Sequence, residues 1–338
     1  MKTCQYILVS CILLITVNGF SKELSFKPFK SSDTTHYSFM VGGHFYGGND
    51  NNTGLPINTV LANIDLFNHS TNHFTICLGD LYKDRDANVS LYVKSFFNKL
   101  QVPFINAVGN HDIGALIGTK ADPQFLSFTY GNDIHVILNT ELNDGSIIGE
   151  QLEMFKKACE AEVDNIFIYS HRPIWAEESS DYDGVFKDNT VSKFGVNYTS
   201  EIAPIIHKVT ETTNLYWMSG SLGGDAPASF FYEKQNNLHF IQTAVRGLKR
   251  DAMLKFDVKN SQVVFETISL TGQKLEDLEH YNLSFWRTAH PKEPFNYRLV
   301  PLYIKQMIFH RYFWYGIGYS VSLLLITSFF RRKRRKHG

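Results

Sequence analysis

The chain has 338 residues, of which 43% are apolar and 20% are charged. This composition excludes a disordered or low-complexity protein and allows a large hydrophobic core. Its 33 Lys and Arg balance its 33 Asp and Glu, but Lys2 and the six basic residues that begin at Arg331 lie outside the predicted folded body, which is therefore acidic. We predict no nucleic-acid partner, because an acidic body lacks the basic surface that neutralises phosphates.

The amino terminus is typical of an export signal. Lys2 precedes an apolar run from Tyr6 to Val17 that is too short to span a bilayer and ends close to Gly19. We predict a signal peptide over residues 1–19. A lipoprotein-type modification of Cys11 is the weaker alternative, because the apolar run continues after this cysteine instead of ending before it.

Short strand-like runs alternate with helical patterns through the body, which is predicted to span residues 20–271. Predicted strands are Tyr37–Val41, Phe74–Leu78, Pro103–Val108, Leu126–Tyr130, Ile134–Leu138, Ile166–Tyr169, Leu215–Met218, His239–Val245, Met253–Val258 and Val263–Leu270, and predicted helices are Ile57–Phe67, Val89–Leu100, Ile148–Ala161 and Glu201–Val209. This order predicts an α/β fold, in which two mixed sheets form a sandwich flanked by helices.

The carboxyl-terminal part carries a second membrane signal. Residues 312–330 contain no charge and are followed at once by the basic tail, 331–338. The length and the flanking charge predict one transmembrane helix with a cytoplasmic tail, preceded by a neck at 272–311. The membrane is thus a predicted partner, and the body is predicted to be extracytoplasmic. A glycolipid anchor and a buried core helix are disfavoured, because the basic block follows the apolar run directly.

Cleavage of the signal would leave two cysteines, Cys77 and Cys159. Two separate buried thiols and one disulfide both remain open. Acceptor triplets for N-glycosylation, which matter only in a eukaryotic secretory pathway, occur at Asn51, Asn68, Asn88, Asn197 and Asn282.

Four predicted strands end in Gly or Ser followed by a side chain that can bind metal. These side chains are His44, Asp80, Asn110 with His111, and His171. Any one of them alone is typical of a turn or a cap. Together they favour a functional site, because ligands gather outside the carboxyl ends of strands in α/β sheets.

The segments Gly79-Asp80, Gly109-Asn110-His111-Asp112 and Ser170-His171-Arg172-Pro173 occur in the order found in the calcineurin-like metallophosphoesterases. This superfamily includes the purple acid phosphatases, and the resemblance extends from about Tyr37 to Leu270. It implies a four-layer αββα sandwich that holds two metal ions.

The resemblance also implies a role for each site residue. Asp80 would bridge both ions, His44 would bind the first, and Asn110 and His171 would bind the second. His111 would act on the leaving oxygen as a catalytic residue, oriented by Asp112. The implied cofactor is one or two divalent ions, either Mn, Fe or Zn, which suit carboxylate and imidazole ligands.

The sequence departs from the family pattern at three positions. Gly42 stands where the family has an Asp, and Ser221 and Gly223 stand where it has two His. Asp50 and Asp225 lie nearby, but an Asp beside Gly is more typical of a turn. The first metal site is therefore predicted to be incomplete.

Two functions remain open. The first is an extracytoplasmic, membrane-anchored, metal-dependent phosphoester hydrolase, which acts on a phosphorylated small molecule, lipid or glycan. The second is a non-catalytic phosphoesterase-like module that binds a ligand or a partner. The hydrolase is favoured by the residues that match the family pattern: Asp80, Asn110, His111, Asp112 and His171. The non-catalytic module is favoured by the departures at Gly42, Ser221 and Gly223.

Overall fold

The computed structural model describes residues 35–114, 124–186, 192, 195–289, 297, 300–309 and 311–334. The predicted signal peptide and the end of the basic tail, 335–338, lie outside the described residues. The chain divides into two compact units, one up to residue 290 and one from residue 291 onward.

The first unit contains two mixed sheets. The five-stranded sheet has the order β11-β10-β1-β2-β3, and the six-stranded sheet has the order β4-β5-β6-β7-β9-β8. The strands are β1 (His36–Gly42), β2 (Asn72–Cys77), β3 (Phe104–Asn106), β4 (Leu126–Tyr130), β5 (Asp133–Ile137), β6 (Asn165–Ser170), β7 (Asn214–Ser219), β8 (Phe230–Gln235), β9 (Leu238–Thr243), β10 (Ala252–Lys259) and β11 (Gln262–Ser269).

Helices connect these strands in the order that a mixed α/β fold requires. Those of the first unit are α1 (Asn58–Leu61), α2 (Ile64–Phe67), α3 (Arg85–Ser95), α4 (Gly149–Cys159), α5 (Ile174–Glu177), α6 (Ala203–Val209) and α7 (Leu283–Ala289), with short 3₁₀ turns at Phe97–Lys99, Asn143–Gly145, Ser180–Tyr182 and Leu278–Tyr281 and a π turn at Tyr198–Ile202. The second unit contains α8 (Val300–Phe309) and α9 (Arg311–Arg334).

Three apolar clusters hold the first unit together. One lies between the two sheets and contains Phe39 of β1 and Phe167 of β6. A second packs α4 and α6 on the outer face of the six-stranded sheet, and the third packs the helices α1 to α3 on the outer face of the five-stranded sheet. The predicted architecture of two mixed sheets flanked by helices is confirmed.

Most predicted strands agree with the structure within two residues, and β4 has the predicted bounds. The predicted helix Ile57–Phe67 is instead two short helices, because Asn63 adopts a non-helical backbone conformation. Its side-chain amide donates to the carbonyls of Thr59 and Leu270, at 2.7 and 2.9 Å, so it binds the backbone instead of continuing the helix.

The predicted body ends too early. Trp286 of α7 is 2% exposed, lies in the apolar cluster on the six-stranded sheet, and donates from Nε1 to the carbonyl of Phe230 at 3.0 Å. The first part of the predicted neck therefore belongs to the folded body.

The second unit contains the predicted membrane-spanning segment, residues 312–330, within α9. Across the described ranges, none of the helices combines the length and the apolar character that crossing a membrane demands. The first half of the segment is rich in Tyr, Gly and Ser, which are only weakly apolar. The prediction of a transmembrane helix is not confirmed.

Both body cysteines are free thiols, so the alternative of two separate cysteines is the correct one. Cys77 is buried at the end of β2, and burial raises its pKa well above the usual value. Burial also raises the pKa of Cys159 to about 12. Both thiols are therefore protonated at neutral pH, as expected for packing residues.

A buried polar network links the two sheets. The hydroxyl of Tyr37 on β1 donates to Asp133 Oδ2 at 2.6 Å, and Asn165 donates to the other carboxylate oxygen at 2.8 Å. Burial raises the pKa of Asp133. It also lowers the pKa of His135, which completes the network with Tyr169, to about 3.

We expect Tyr37→Phe to destabilise the protein by about 1.5–3 kcal/mol, because it removes a donor from a buried carboxylate. Tyr232→Phe in the same apolar cluster is the matched control, since this hydroxyl pairs with the neutral ring of His239 at 2.9 Å. Its expected cost is about 0.5–1.5 kcal/mol. Urea denaturation of the full chain measures both, and a larger loss for Tyr232→Phe would contradict this ranking.

Candidate metal centre

Three of the sequence-predicted residues meet where both sheets end. His44 follows β1, Asp80 follows β2, and His171 follows β6 of the other sheet. The His44 N–H donates to the Gly79 carbonyl at 2.9 Å, and the Gly220 N–H donates to the His171 carbonyl at 3.0 Å. The first hydrogen bond joins two loops of the five-stranded sheet, and the second joins two loops of the six-stranded sheet.

The backbone at this point is under local strain. His44 has φ 56° and Asp80 has φ 53°, both in the left-handed region that few residues other than Gly adopt. Such conformations cluster at functional sites, because they direct a side chain where a regular strand end would not.

The three side chains form a compact buried cluster. Asp80 Oδ2 lies 3.2 Å from His44 Nδ1, and Asp80 Oδ1 lies 3.5 Å from His171 Nε2. The candidate ligand atoms all lie within 4.8 Å of one another, and the residues are 3%, 2% and 0% exposed in chain order. One carboxylate thus stands between two imidazoles, with a different oxygen facing each ring.

The His171 side of the cluster fits a cation. His171 Nδ1 lies 2.9 Å from the Leu78 carbonyl, which can only accept, so this nitrogen carries the proton. In the neutral ring Nε2 then presents a lone pair towards Asp80 Oδ1. This nitrogen is buried and makes no hydrogen bond to any described residue. Two electron-rich atoms that face each other without a proton are a donor set for a divalent ion.

The His44 side does not fit a cation in the same way. A guanidinium nitrogen of Arg246 lies 3.0 Å from His44 Nε2. Arg can only donate, so Nε2 accepts and the proton of the neutral ring is on Nδ1, facing Asp80. Burial and the charge of Arg246 hold the pKa of His44 well below its usual value. Neither ring nitrogen of His44 is therefore open to a metal ion in this arrangement.

The loop Gly109-Asn110-His111-Asp112 packs directly on Asp80. A Cβ on Gly109 would lie 2.3 Å from the Asp80 nitrogen, and the His111 N–H donates to Asp80 Oδ1 at 3.1 Å. Asn110 stands between these two contacts with an exposed side chain. The predicted residues 110–112 are thus at the site, where Asn110 is exposed, His111 is half-buried and Asp112 is buried.

Asp112 does not orient the His111 ring as predicted. His111 Nδ1 instead lies 2.8 Å from the Lys83 carbonyl. The buried Asp112 carboxylate accepts from the backbone N–H groups of Tyr82 and Gly109, at 3.0 and 2.9 Å. Burial raises its pKa, and the charge of Asp80 adds to this effect. Asp112 therefore fixes the loop backbone, and the Lys83 carbonyl fixes the ring.

The departures from the family pattern lie around this cluster without restoring ligands. A Cβ on Gly42 would lie 3.0 Å from Met253, in an apolar cluster, so a carboxylate at this position would enter apolar surroundings. Ser221 is almost buried and donates its N–H to the His171 carbonyl at 2.8 Å. Asp50 and Asp225 are both exposed, as expected for turn residues.

Two charged residues near the cluster were missed by sequence reasoning. Arg246 follows β9 by three residues, and Glu141 follows β5 by four residues. Burial raises the pKa of Glu141, which interacts electrostatically with His171 and Asp80. Extending the strand-end search to cations and to longer loops would have found both.

A surface cavity of about 860 Å³ lies elsewhere in the fold. Its lining includes Asn132 and Asp164, which immediately precede β5 and β6, so it opens at the amino ends of these strands. The metal-ligand cluster lies at the carboxyl ends. The cavity is therefore separate from the chemistry described above.

Residues 56–200 match the family model described as calcineurin-like phosphoesterase. The matched region contains Asp80, the segment 110–112 and His171, whereas His44 and Arg246 lie outside it. No curated protein sequence matches the chain. The resemblance to this family is confirmed.

The chain also matches solved structures. A dimetal phosphatase from Danio rerio has a TM-score of 0.50 at 10% sequence identity. The match covers 69% of this chain and 96% of the phosphatase. A conserved uncharacterized protein from Streptococcus pneumoniae, described as a predicted phosphoesterase, has a TM-score of 0.36 at 11% identity, and the match covers 72% of this chain and 96% of that protein. Vps29 from Chaetomium thermophilum has a TM-score of 0.32 at 12% sequence identity, and the match covers 69% of this chain and 95% of Vps29. At this identity the Danio rerio structure supports the fold alone.

We expect Gly79→Ala to destabilise the protein by about 2–4 kcal/mol, from the cost of a positive φ and of a steric clash. Gly79 has φ +84°, and its Cβ would lie 2.6 Å from His171 Nδ1. Gly224→Ala is the matched control, because a Cβ there meets nothing within 4 Å. Its expected effect is below about 0.5 kcal/mol. Urea denaturation followed by tryptophan fluorescence checks both, and equal stability of the two variants would contradict the clash.

Proposed function

We propose that this chain, which carries a calcineurin-like phosphoesterase domain, is a metal-dependent hydrolase of phosphoesters. One observation carries the proposal: Nε2 of the buried His171, which makes no hydrogen bond to a described residue, faces the Asp80 carboxylate across 3.5 Å. Two buried electron-rich atoms in this arrangement are costly unless a cation lies between them. The match to the calcineurin-like phosphoesterase family model supports the reaction class.

Asp80 and His171 are the proposed metal-binding residues, with the side chain of Asn110 as an additional oxygen ligand from the adjacent loop. The ion is Mn, Fe or Zn, which accept a carboxylate, an amide and an imidazole. When bound, such an ion polarises a phosphoryl oxygen and lowers the pKa of water. The exposed position of Asn110 leaves the loop side of the site open to a ligand.

His111 is the proposed acid for the leaving oxygen. The hydrogen bond from Nδ1 to the Lys83 carbonyl fixes the ring and leaves Nε2 for proton transfer. The Tyr46 ring packs against it with centroids 4.9 Å apart. His111 is half-buried, in contrast to the fully buried His171. A partly exposed imidazole beside the metal-binding residues is in position to protonate a leaving group.

The proposed substrate is a phosphorylated small molecule. A phosphorylated lipid or glycan carries the same phosphoester group and is also a candidate substrate. The buried cluster supports a small reacting group, and its neighbours Asn110 and His111 are accessible to solvent. The location of the body outside the cytoplasm stays a prediction.

A non-catalytic ligand-binding module is the second candidate function. The observation that favours it is the contact between Arg246 and His44, which removes one of the expected metal ligands. Such a module would bind a phosphorylated ligand without turnover, so hydrolysis assays separate the two functions.

We expect His171→Ala to lose both bound metal and hydrolysis, because it removes a proposed ligand. We expect His111→Ala to keep the metal and to lose about 10²–10⁴-fold in rate, the usual contribution of a positioned acid. Elemental analysis measures the metal, and p-nitrophenyl phosphate and bis(p-nitrophenyl) phosphate measure hydrolysis with Mn²⁺ or Zn²⁺.

The control is His207→Ala, a change of an exposed histidine on α6, which should leave both quantities unchanged. Absence of bound metal in the wild-type chain after dialysis against Mn²⁺ and Zn²⁺ would refute the proposed enzyme. Bound metal without hydrolysis of either ester would favour the non-catalytic module.

A further inference from the structure

Arg246 extends into the cluster from outside the region that matches the family. It follows β9 and the buried Val245, in the loop where its own N–H donates to Asp251 Oδ1 at 2.9 Å. Its guanidinium donates from Nε to the Leu222 carbonyl at 2.6 Å. The second nitrogen, Nη2, donates to the same carbonyl and to His44 Nε2, the latter at 3.0 Å. These contacts fix the charged group at one position.

This position lies next to the carboxylate edge that faces His44. Asp80 attracts the guanidinium electrostatically, as does Asp225, and Asp80 Oδ2 is the oxygen on the His44 side. The other oxygen, Oδ1, faces His171 on the opposite side. The two edges of one carboxylate thus have different surroundings: Oδ2 faces His44, which Arg246 contacts, and Oδ1 faces His171.

We propose that Arg246 supplies a permanent positive charge in place of one of the two metal ions, so that the site binds a single exchangeable divalent ion on the Asp80–His171 side. This inference rests on the proposed function, and it specifies how many ions the site holds. The guanidinium uses the lone pair of His44 Nε2, which a metal ion would need.

Charge also opposes a second ion. The carboxylates that act electrostatically on this region include Asp80, Asp112, Glu141 and Asp225. Two further buried arginines lie nearby: Arg172 is paired with Glu177 at 3.4 Å, and Arg85 donates to the Asp112 carbonyl at 3.3 Å. Two divalent ions and Arg246 would place five positive charges beside these carboxylates, whereas one ion and Arg246 would place three. Buried charges of one sign are costly without such compensation.

The guanidinium is suited to this role. It remains protonated under all ordinary conditions and presents several donors in a plane. Its donors are directed at the Leu222 and Gly47 carbonyls and at His44. It therefore stabilises the neutral form of His44, whose Nδ1–H faces Asp80, and it fixes that edge of the carboxylate.

Metal stoichiometry of the full wild-type chain tests the inference directly. We expect about one Mn²⁺ per chain at saturation, and an electron paramagnetic resonance spectrum of an isolated ion. Two ions per chain with an exchange-coupled spectrum would overturn this inference and leave the hydrolase proposal intact. No bound ion would overturn both proposals, so the two failures are distinguishable.

Variants test the charge itself. Arg246→Gln should tighten Mn²⁺ binding by about tenfold or more, because it removes a positive charge beside the ion. Arg246→Lys should keep the wild-type affinity within a factor of about three, because it retains the charge. An unchanged affinity in a folded Arg246→Gln chain would overturn the inference, as would equal tightening by both variants.

Arg250→Gln is the matched control. This neighbouring guanidinium is also held by backbone carbonyls, those of Ala228 and Gly223 at 2.9 and 3.0 Å. It provides no hydrogen bond to the cluster among the contacts of the described residues. Its Mn²⁺ affinity should stay within about twofold of wild type, because the lost charge lies farther from the ion. If Arg250→Gln tightened Mn²⁺ binding as much as Arg246→Gln, the effect would be a general one of charge, and the specific role of Arg246 would be overturned.

Discussion

The buried carboxylate of Asp80 is the interaction on which the site depends. A charged group with 2% exposure is costly unless its oxygens are satisfied. Loops of both sheets close around it, bringing His44 from one sheet and His171 from the other. Glycines permit this approach: a Cβ on Gly109 would lie 2.3 Å from the Asp80 nitrogen, and a Cβ on Gly220 would lie 2.0 Å from the Leu78 carbonyl. The sandwich therefore serves to bring several strand ends close to one carboxylate.

The two edges of that carboxylate differ in what they can bind. On the His171 side, the Leu78 carbonyl fixes the ring proton and leaves a lone pair for an ion. On the His44 side, Arg246 takes the corresponding lone pair. Two imidazoles at similar distances from Asp80 thus have opposite tautomers, each determined by its outer hydrogen bond. The chemistry of such a site is decided by these outer partners as much as by the ligands themselves.

The fold was largely predictable from the sequence, because short apolar runs with flanking turn residues define the strands. The convergence of His44, Asp80 and His171 was also predictable, since ligands gather at the carboxyl ends of strands. The role of Asp112 was not. The turn in which the Asp112 N–H donates to the Gly109 carbonyl, at 3.0 Å, directs its carboxylate to the backbone. Adjacent residues in a tight turn do not share a direction, so sequence neighbours need not interact.

The location of Arg246 was unpredictable for a different reason. Its contact with His44 joins residues 202 positions apart, and no local pattern indicates such a pairing. The family match covers residues 56–200, so Asp80 and His171 lie within it, whereas His44 and Arg246 lie outside it. A site that loses ligands on one edge keeps its electrostatic balance only if another group supplies the missing charge. The Arg246 guanidinium is held by backbone carbonyls and attracts Asp80 electrostatically, so it supplies a positive charge on the His44 side of the carboxylate.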